Sequence, residues 1–292
     1  MFSLQQLRSF IFCAEQGSFS AAARKLGKAQ SVTSQTISNL EIDLGLQLFE
    51  RSSRSPKLTH FGEILLTHAK TVVEQSEEME LVAKGLSKGE ETELRIVIDS
   101  ALINLEFMNL VVELSSQFQA TQFTFNIATS QQIPTLIKEN KANIGFMLLK
   151  QNLLTGVDVG FIGHIGFLTV ASINHPLSKL HKIERKDLIF YPQLIIDSEI
   201  SSKVSYSPYI SPKLIKSNDF QTLIKMAESN LGWGYLPEHL VETNIKQGKL
   251  CQLPLSFDLK TWQVPIDVVT QKGCIKGPAL TWLMTNVEKI YQ

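Results

Sequence analysis

The sequence predicts an α-helical winged helix-turn-helix at the amino terminus, then one long linker helix, then an α/β remainder. Three observations carry this. Two short amphipathic stretches flank a glycine at position 27, and the second has an outer face of small polar residues. Between 65 and 86 apolar and small residues, with Ser76 among them, alternate by four and three residues, the a/d spacing of a weak coiled coil. From residue 94 onward, strand-like runs alternate with helical ones, which argues for α/β organisation.

Leu4, Leu7, Phe10 with Ile11, and Ala14 form the apolar stripe of a first helix, stopped near Gly17. Ser18 suits the cap of a second helix, whose stripe is Phe19, Ala22, Ala23 and Leu26. Gly27 then suits a left-handed position after it. In AQSVTSQTISNL (29–40), Thr33, Ile37, Leu40 and the following Leu44 face inward, and Ser31, Ser34, Gln35 and Ser38 face outward. A solvated helix normally carries Lys and Glu on such a face. Short hydroxyls and an amide suit a face that approaches hydrogen-bonding groups closely.

LQLFERSSRSPKLT (46–59) reads as a two-stranded wing with Arg51 and Arg54 near its tip, and Thr59 can cap the next helix. That helix is expected to run from about His60 to Lys88. Its seam passes through Leu65, Ala69, Val72, Ser76, Met79, Ala83 and Leu86. Of these, Leu65, Ala69, Val72, Met79 and Leu86 are the expected dimerisation residues, with packing inside the chain as the alternative. SKGEETE (87–93) ends it as a linker. Beyond it, strands are expected at 94–100, 123–129, 143–149, 192–198 and 262–271. The runs 157–163 and 166–173 read as paired strands near a crossover. Helices are expected at 104–118, after 130, and at the carboxy terminus. The stretch 218–241 reads as helix, glycine stop, short strand and proline-started helix.

At 292 residues the chain is comfortable for two or three domains. No run approaches the ~20 apolar residues of a membrane span, and MFSLQQLRSF lacks a signal peptide's basic and apolar regions. Cys13, Cys251 and Cys274 are too few and scattered for a disulfide framework or a zinc site, so a reducing, cytoplasmic setting is expected. Net charge is zero, yet residues 1–60 hold seven basic residues against four acidic ones. The basic excess sits at the end with the small-polar helix face, as a nucleic-acid contact requires.

Together these residues resemble the LysR-type transcriptional regulators. The matching pieces are Leu4-x-x-Leu-x-x-Phe10, GSFSAAARKLGKAQS (17–31), Ser34-x-x-Ile37-x-x-LExxLG to Gly45, LFER (48–51) and LTxxG (58–62). The likeness continues more loosely through NHPLS (174–178) and GWGYLP (232–237). The resemblance implies a DNA-binding domain at 1–59, a dimerising helix at 60–89 and a regulatory domain at 90–292. The last would be two Rossmann-like subdomains resembling periplasmic binding proteins, about 94–162 with 267–292, and about 163–266. It also implies a dimer of dimers that regulates promoters in response to a small molecule, with RNA polymerase as a further candidate partner and no cofactor.

On that reading Gln30, Ser31, Ser34, Gln35 and Ser38 contact DNA, and short side chains suit the base edges of the major groove. Arg51 and Arg54 would meet phosphates or the minor groove. Many family members carry Arg where Gln35 stands and an apolar residue at Thr33. Gln35 points to adenine-type amide contacts, and Val32 is expected to offset the burial lost at Thr33. In α/β domains ligands sit at the carboxyl ends of strands, which gives Asp99, Ser100, Thr129, Ser130, Met147, Asp197 and Ser198 as effector-binding candidates; Ser100 and Ser130 also stand where helix caps belong. Two carboxylates, Asp99 and Asp197, with no arginine at the strand ends, favour a neutral or cationic effector.

Two other readings compete. An enzyme would need chemistry the sequence lacks: there is no GxSxG, HExxH or P-loop, and the six histidines show no ligand spacing. A thiol redox switch would need two cysteines able to meet. Cys251 and Cys274 flank one strand region and are the candidates for it, while 197–208 lacks the pair expected of peroxide-sensing members.

Overall fold

The computed structural model describes residues 1–50, 56–148, 155–197, 208–258 and 261–291. It divides into two compact units, Met1–Lys84 and Gly85–Gln292.

In the first unit, α1 (Leu4–Gln16) starts at a capping box in which Ser3 and Gln6 satisfy each other's backbone N–H groups. Ser18 caps α2 (Phe19–Lys25) by accepting from the Ala21 N–H. Gly27, at φ +63°, closes that helix: Lys28 N–H donates to Ala23 O at 2.9 Å and Gly27 N–H to Arg24 O at 3.1 Å. This turn aims α3 (Gln30–Leu44). Leu7, Phe10, Ala22, Ile37 and Leu40 form the shared core, closed by Leu48 and Phe49 beyond α3. Phe49 is bridged to Leu58, and Thr59 accepts from Gly62 N–H at 3.0 Å to start α4 (His60–Ser87).

The second unit opens with β1 (Glu93–Ile98), a 3-10 turn (Ser100–Leu102), α5 (Leu105–Gln117), β2 (Gln122–Ile127), α6 (Ile133–Lys138) and β3 (Ile144–Leu148). The long β4 (Val157–Ser172) comes next, then α7 (Arg185–Leu188), β5 (Gln193–Ile196), β6 (Leu214–Ser217), α8 (Phe220–Glu228) and β7 (Trp233–Pro237). α9 (Glu238–Lys246), β8 (Leu250–Gln252), β9 (Trp262–Gln271) and α10 (Pro278–Val287) complete it. The sheet order is β2-β1-β3-β9-β4-β7-β5-β6, with β8 also against β4. β1 pairs in parallel with β2 and β3, and β5 in parallel with β6 and β7. β4 and β9 are antiparallel and run through both halves. The strands carry an apolar core from Leu94, Phe146 and Ile266 to Phe167 and Trp233.

Two expectations are corrected. The runs 157–163 and 166–173 do not pair with each other; they are one strand, β4, whose first part pairs with β9 and whose last part pairs with β7 and β8. Gly163 borders an irregularity between Phe161 and Gly163, and Gly166 sits in regular register opposite Gln263; neither makes a turn. The stop after α8 is Asn230, at φ +62°, and not Gly232. Gly232 is small for another reason: a Cβ there would lie 2.3 Å from Pro192 O. The short α7, β6 and β8 are absent from the sequence expectations, because three or four residues give no readable periodicity.

Gly163 carries the tightest contact in the sheet. Its φ is +147°, and a Cβ would lie 1.7 Å from the Tyr291 carbonyl oxygen, which accepts from His164 N–H at 3.1 Å. Gly163→Ala is expected to cost about 3 kcal/mol in denaturant unfolding. A loss under about 0.5 kcal/mol would show that this packing gives way freely.

Candidate nucleic-acid interface and ligand cleft

α3 separates its two faces as its sequence demands. Thr33, Ile37 and Leu40 are buried, and Gln30, Ser31, Ser34, Gln35 and Ser38 are all exposed. Val32 is 48% exposed and so does not offset the burial lost at Thr33. Instead the Thr33 hydroxyl donates to Ala29 O at 3.3 Å, which lets a polar residue sit in the core. On the outer face, Gln30 Oε1 accepts from Ser20 Oγ at 2.7 Å, tying α3 to α2. Gln35 Nε2 donates to Asn39 Oδ1 at 2.9 Å, which leaves the Gln35 carbonyl oxygen outward as an acceptor.

Glu41, present in the sequence only as part of the LExxLG motif, positions the wing. Its Oε1 accepts from Leu48 N–H at 2.7 Å and Phe49 N–H at 3.1 Å. A groove of about 500 Å³ lies beside it, lined in part by Phe19, Ser34, Ser38, Glu41 and Glu50. The ladder continues through Glu50 N–H to Lys57 O at 2.8 Å. Arg51 and Arg54 lie outside the described residues.

Along α4 the expected dimerisation residues divide. Ala69 is buried and Leu65 half-buried against the first unit's own core, together with Val73. The intrachain alternative therefore accounts for Leu65 and Ala69. Val72, Met79 and Leu86, each seven residues from the next, are 45%, 68% and 50% exposed.

In the second unit the expected cleft residues are mostly engaged. Asp99 Oδ1 accepts from Ala101 N–H at 3.0 Å, and Oδ2 accepts from Ser130 N–H at 2.8 Å and from the Ser130 hydroxyl. Ser130 Oγ in turn accepts from Leu148 N–H at 2.9 Å. Burial pushes the Asp99 carboxyl above the usual carboxylate range, against the downward pull of these bonds. Ser100 Oγ accepts from Phe220 N–H at 3.4 Å, joining the 3-10 turn to the start of α8. Thr129 pairs with Gln132 at the entry to α6. Met147 is fully buried against Ile133 and Ile137, so it belongs to the core. Asp197 is exposed, 3.7 Å from Lys216 Nζ; Ser198 lies outside the described residues. Asp99 and Asp197 therefore both have partners within the chain, and neither is an unanswered carboxylate.

A buried carboxylate without a partner among the described residues is Asp267, in the middle of β9. It is 3% exposed and makes no hydrogen bond or ion pair among the described residues. Burial alone pushes it up to about 6 from an ordinary 3.8. The sequence hid it, because a lone acid inside WQVPIDVVTQ reads as the polar member of an alternating strand.

Because its folded pKa lies above the unfolded one, Asp267 binds its proton more tightly when folded. Its contribution is fully favourable below about pH 4 and is lost as pH rises through 6. Asp267→Asn is thus expected to raise the melting temperature at pH 8, by an amount equivalent to at most about 3 kcal/mol, and to leave it nearly unchanged at pH 4. A fall at pH 8 would mean that an unrecognised partner holds the charge.

Cys251 and Cys274 cannot pair with each other within the chain. Cys251 on β8 stands opposite Ala171, and Cys274 follows Gln271, which stands opposite Val157. Fourteen residues of β4 at ~3.3 Å each separate the two by roughly 45 Å, whereas a disulfide needs Cα atoms about 5.5 Å apart. Cys13 is buried, and its thiol is pushed up to about 11. Among the described residues no group of three His, Cys, Asp or Glu can hold a metal, and no helix is long and apolar enough to cross a membrane.

A helix-turn-helix with a small-polar outer face, followed by an α/β unit, is the architecture of a DNA-binding regulator with a separate sensing domain. Residues 4–63 match the model of the bacterial regulatory helix-turn-helix protein, lysR family, and 87–289 that of the LysR substrate binding domain. The chain belongs to the LysR family and is a transcriptional regulator of that type. It is 28% identical over 287 residues to the HTH-type transcriptional regulator AceR of Acinetobacter baumannii, covering 97% of this chain and 95% of that one. It is 30% identical over 259 residues to the HTH-type transcriptional activator AllS of Klebsiella pneumoniae, covering 86% and 94%. Among solved structures, CrgA of Neisseria meningitidis shares the fold at a TM-score of 0.56 and 20% identity, over 98% of both chains.

Proposed function

We propose that α3 reads operator DNA in the major groove through Gln30, Ser31, Ser34, Gln35 and Ser38, with Arg51 and Arg54 on phosphates or the minor groove. The single observation that carries this is the exposed row of hydroxyls and amides, Gln30, Ser31, Ser34, Gln35 and Ser38, on a helix whose inner face is packed. The hydroxyls of Ser31, Ser34 and Ser38 make no hydrogen bond among the described residues, so their donors and acceptors are free for base edges. The outward Gln35 carbonyl suits a base-edge donor such as the adenine or cytosine amino group.

The functional boundaries proposed are 1–59 for the reader, 60–89 for the dimerising helix and 90–292 for the sensor. The sensor's halves would be about 94–162 with 267–292, and about 163–266. Val72, Met79 and Leu86 supply the exposed seven-residue stripe on which two chains would pair, and two such dimers would form a tetramer. The chain acts in the cytoplasm, without catalysis, with promoter DNA, a small-molecule effector and RNA polymerase as partners. The effector would sit at the strand ends near Ser100 and Thr129 and bias one closure of the sensor over another.

Ser34→Ala with Gln35→Ala is expected to weaken binding to a selected operator by roughly ten- to a hundredfold. Binding to random DNA should change less than twofold and its salt dependence not at all. Equal losses on both DNAs would mean that these residues only position the helix. Adding the small-molecule fraction of a cell extract to the same assay should change operator affinity; an unchanged affinity counts against sensing but not against reading.

A further inference from the structure

The registers of four strands place one residue from each in a single row across one face of the sheet. Met147 on β3 stands opposite Asp267 on β9, and Asp267 stands opposite Phe161 on β4. Asp99 follows β1 one step past the pair Ile98–Phe146, which sets it beside Met147. The row Asp99–Met147–Asp267–Phe161 lies at the carboxyl ends of the parallel strands β1 and β3, where open α/β sheets place their ligands.

Along that row the environment changes from closed to open. Asp99 is saturated by Ala101 and Ser130, and Met147 is fully buried. Asp267 is almost wholly buried yet unpaired, and Phe161 beyond it is 59% exposed. The Phe161 ring meets the His164 ring edge to face, with centroids 5.0 Å apart. A buried carboxylate without a donor is costly and normally has a reason. No described Lys or Arg answers it, and the group beside it is an aromatic ring open to solvent. A carboxylate next to an aromatic face, with a soft thioether behind, is a cation-binding combination.

We propose that Asp267 and Phe161 form the subsite that recognises an organic cation, so that the effector carries a protonated amine or a guanidinium group. Asp267 supplies the counter-charge and Phe161 the π-face. This rests on the reading of the second unit as an effector-binding domain and names the chemical class of its ligand. An apolar or anionic ligand would leave the carboxylate desolvated and unanswered; a cation with N–H donors answers both charge and hydrogen bonding.

The test is thermal unfolding of the full chain at pH 7.5 with alkylamines, arylalkylamines and alkylguanidines, each beside its matched alcohol and carboxylate. At least one amine or guanidine is expected to raise the melting temperature by several degrees, its matched alcohol and carboxylate by less than one. Asp267→Asn should abolish that shift, and Phe161→Ala, at an exposed position, should at least halve it while keeping the fold. A shift that persists in Asp267→Asn overturns the proposal, as does a panel in which no cation stabilises the wild type. Stabilisation by alcohols or carboxylates alone also overturns it, but leaves the sensing reading standing. A loss of sensing itself would be seen separately, as operator affinity that no small-molecule extract changes.

Discussion

The second unit depends on the antiparallel ladder between β4 and β9. Each strand passes through both halves of the sheet, and their pairing runs from Val157–Gln271 to Phe167–Trp262 with one irregularity between Phe161 and Gly163. β3 lines up on β9 in one half, and β7 on β4 in the other. Because both halves share these two strands, neither can slide or turn freely against the other. Bending is easiest where the ladder is already irregular. Gly163 and the carboxy-terminal Tyr291 meet at that place, and Phe161 and Asp267 lie one step from it. A ligand held there would act on the part of the sheet most able to change shape.

The first unit rests on a simpler constraint, a helix whose two faces must differ. Thr33, Ile37 and Leu40 pack inward, and this fixes which side chains can point out. Gly27 sets the angle at which α3 leaves α2, and Glu41 fastens the wing to α3 through two backbone N–H groups. Reader and wing therefore share one packed support, as a surface that must match a groove requires.

Periodicity makes much of this legible in the sequence. The three amino-terminal helices, the long helix and most strands emerge from apolar spacing and from glycine and serine at helix ends. Local alternation cannot say which strand pairs with which, so one long β4 reads as two strands. Nor can it separate faces that differ by one residue: Val73 and not Val72 packs on the first unit's core. At the cleft, residue type points to Asp99, Ser130 and Met147. Hydrogen bonding and packing within the fold engage all three. Asp267 becomes visible only through its missing partner, and a missing partner is a property of three dimensions.

The amino-terminal unit reads DNA sequence on behalf of a ligand-sensing unit in the same chain. The most direct test of this is selection of the organism's own genomic fragments by the full-length protein, read by sequencing. Strong enrichment is expected for a few fragments that share an inverted-repeat site beside identifiable genes, as a symmetric pair of readers requires. Bound fragments distributed like the input, both with and without a small-molecule extract of the cells, would contradict it.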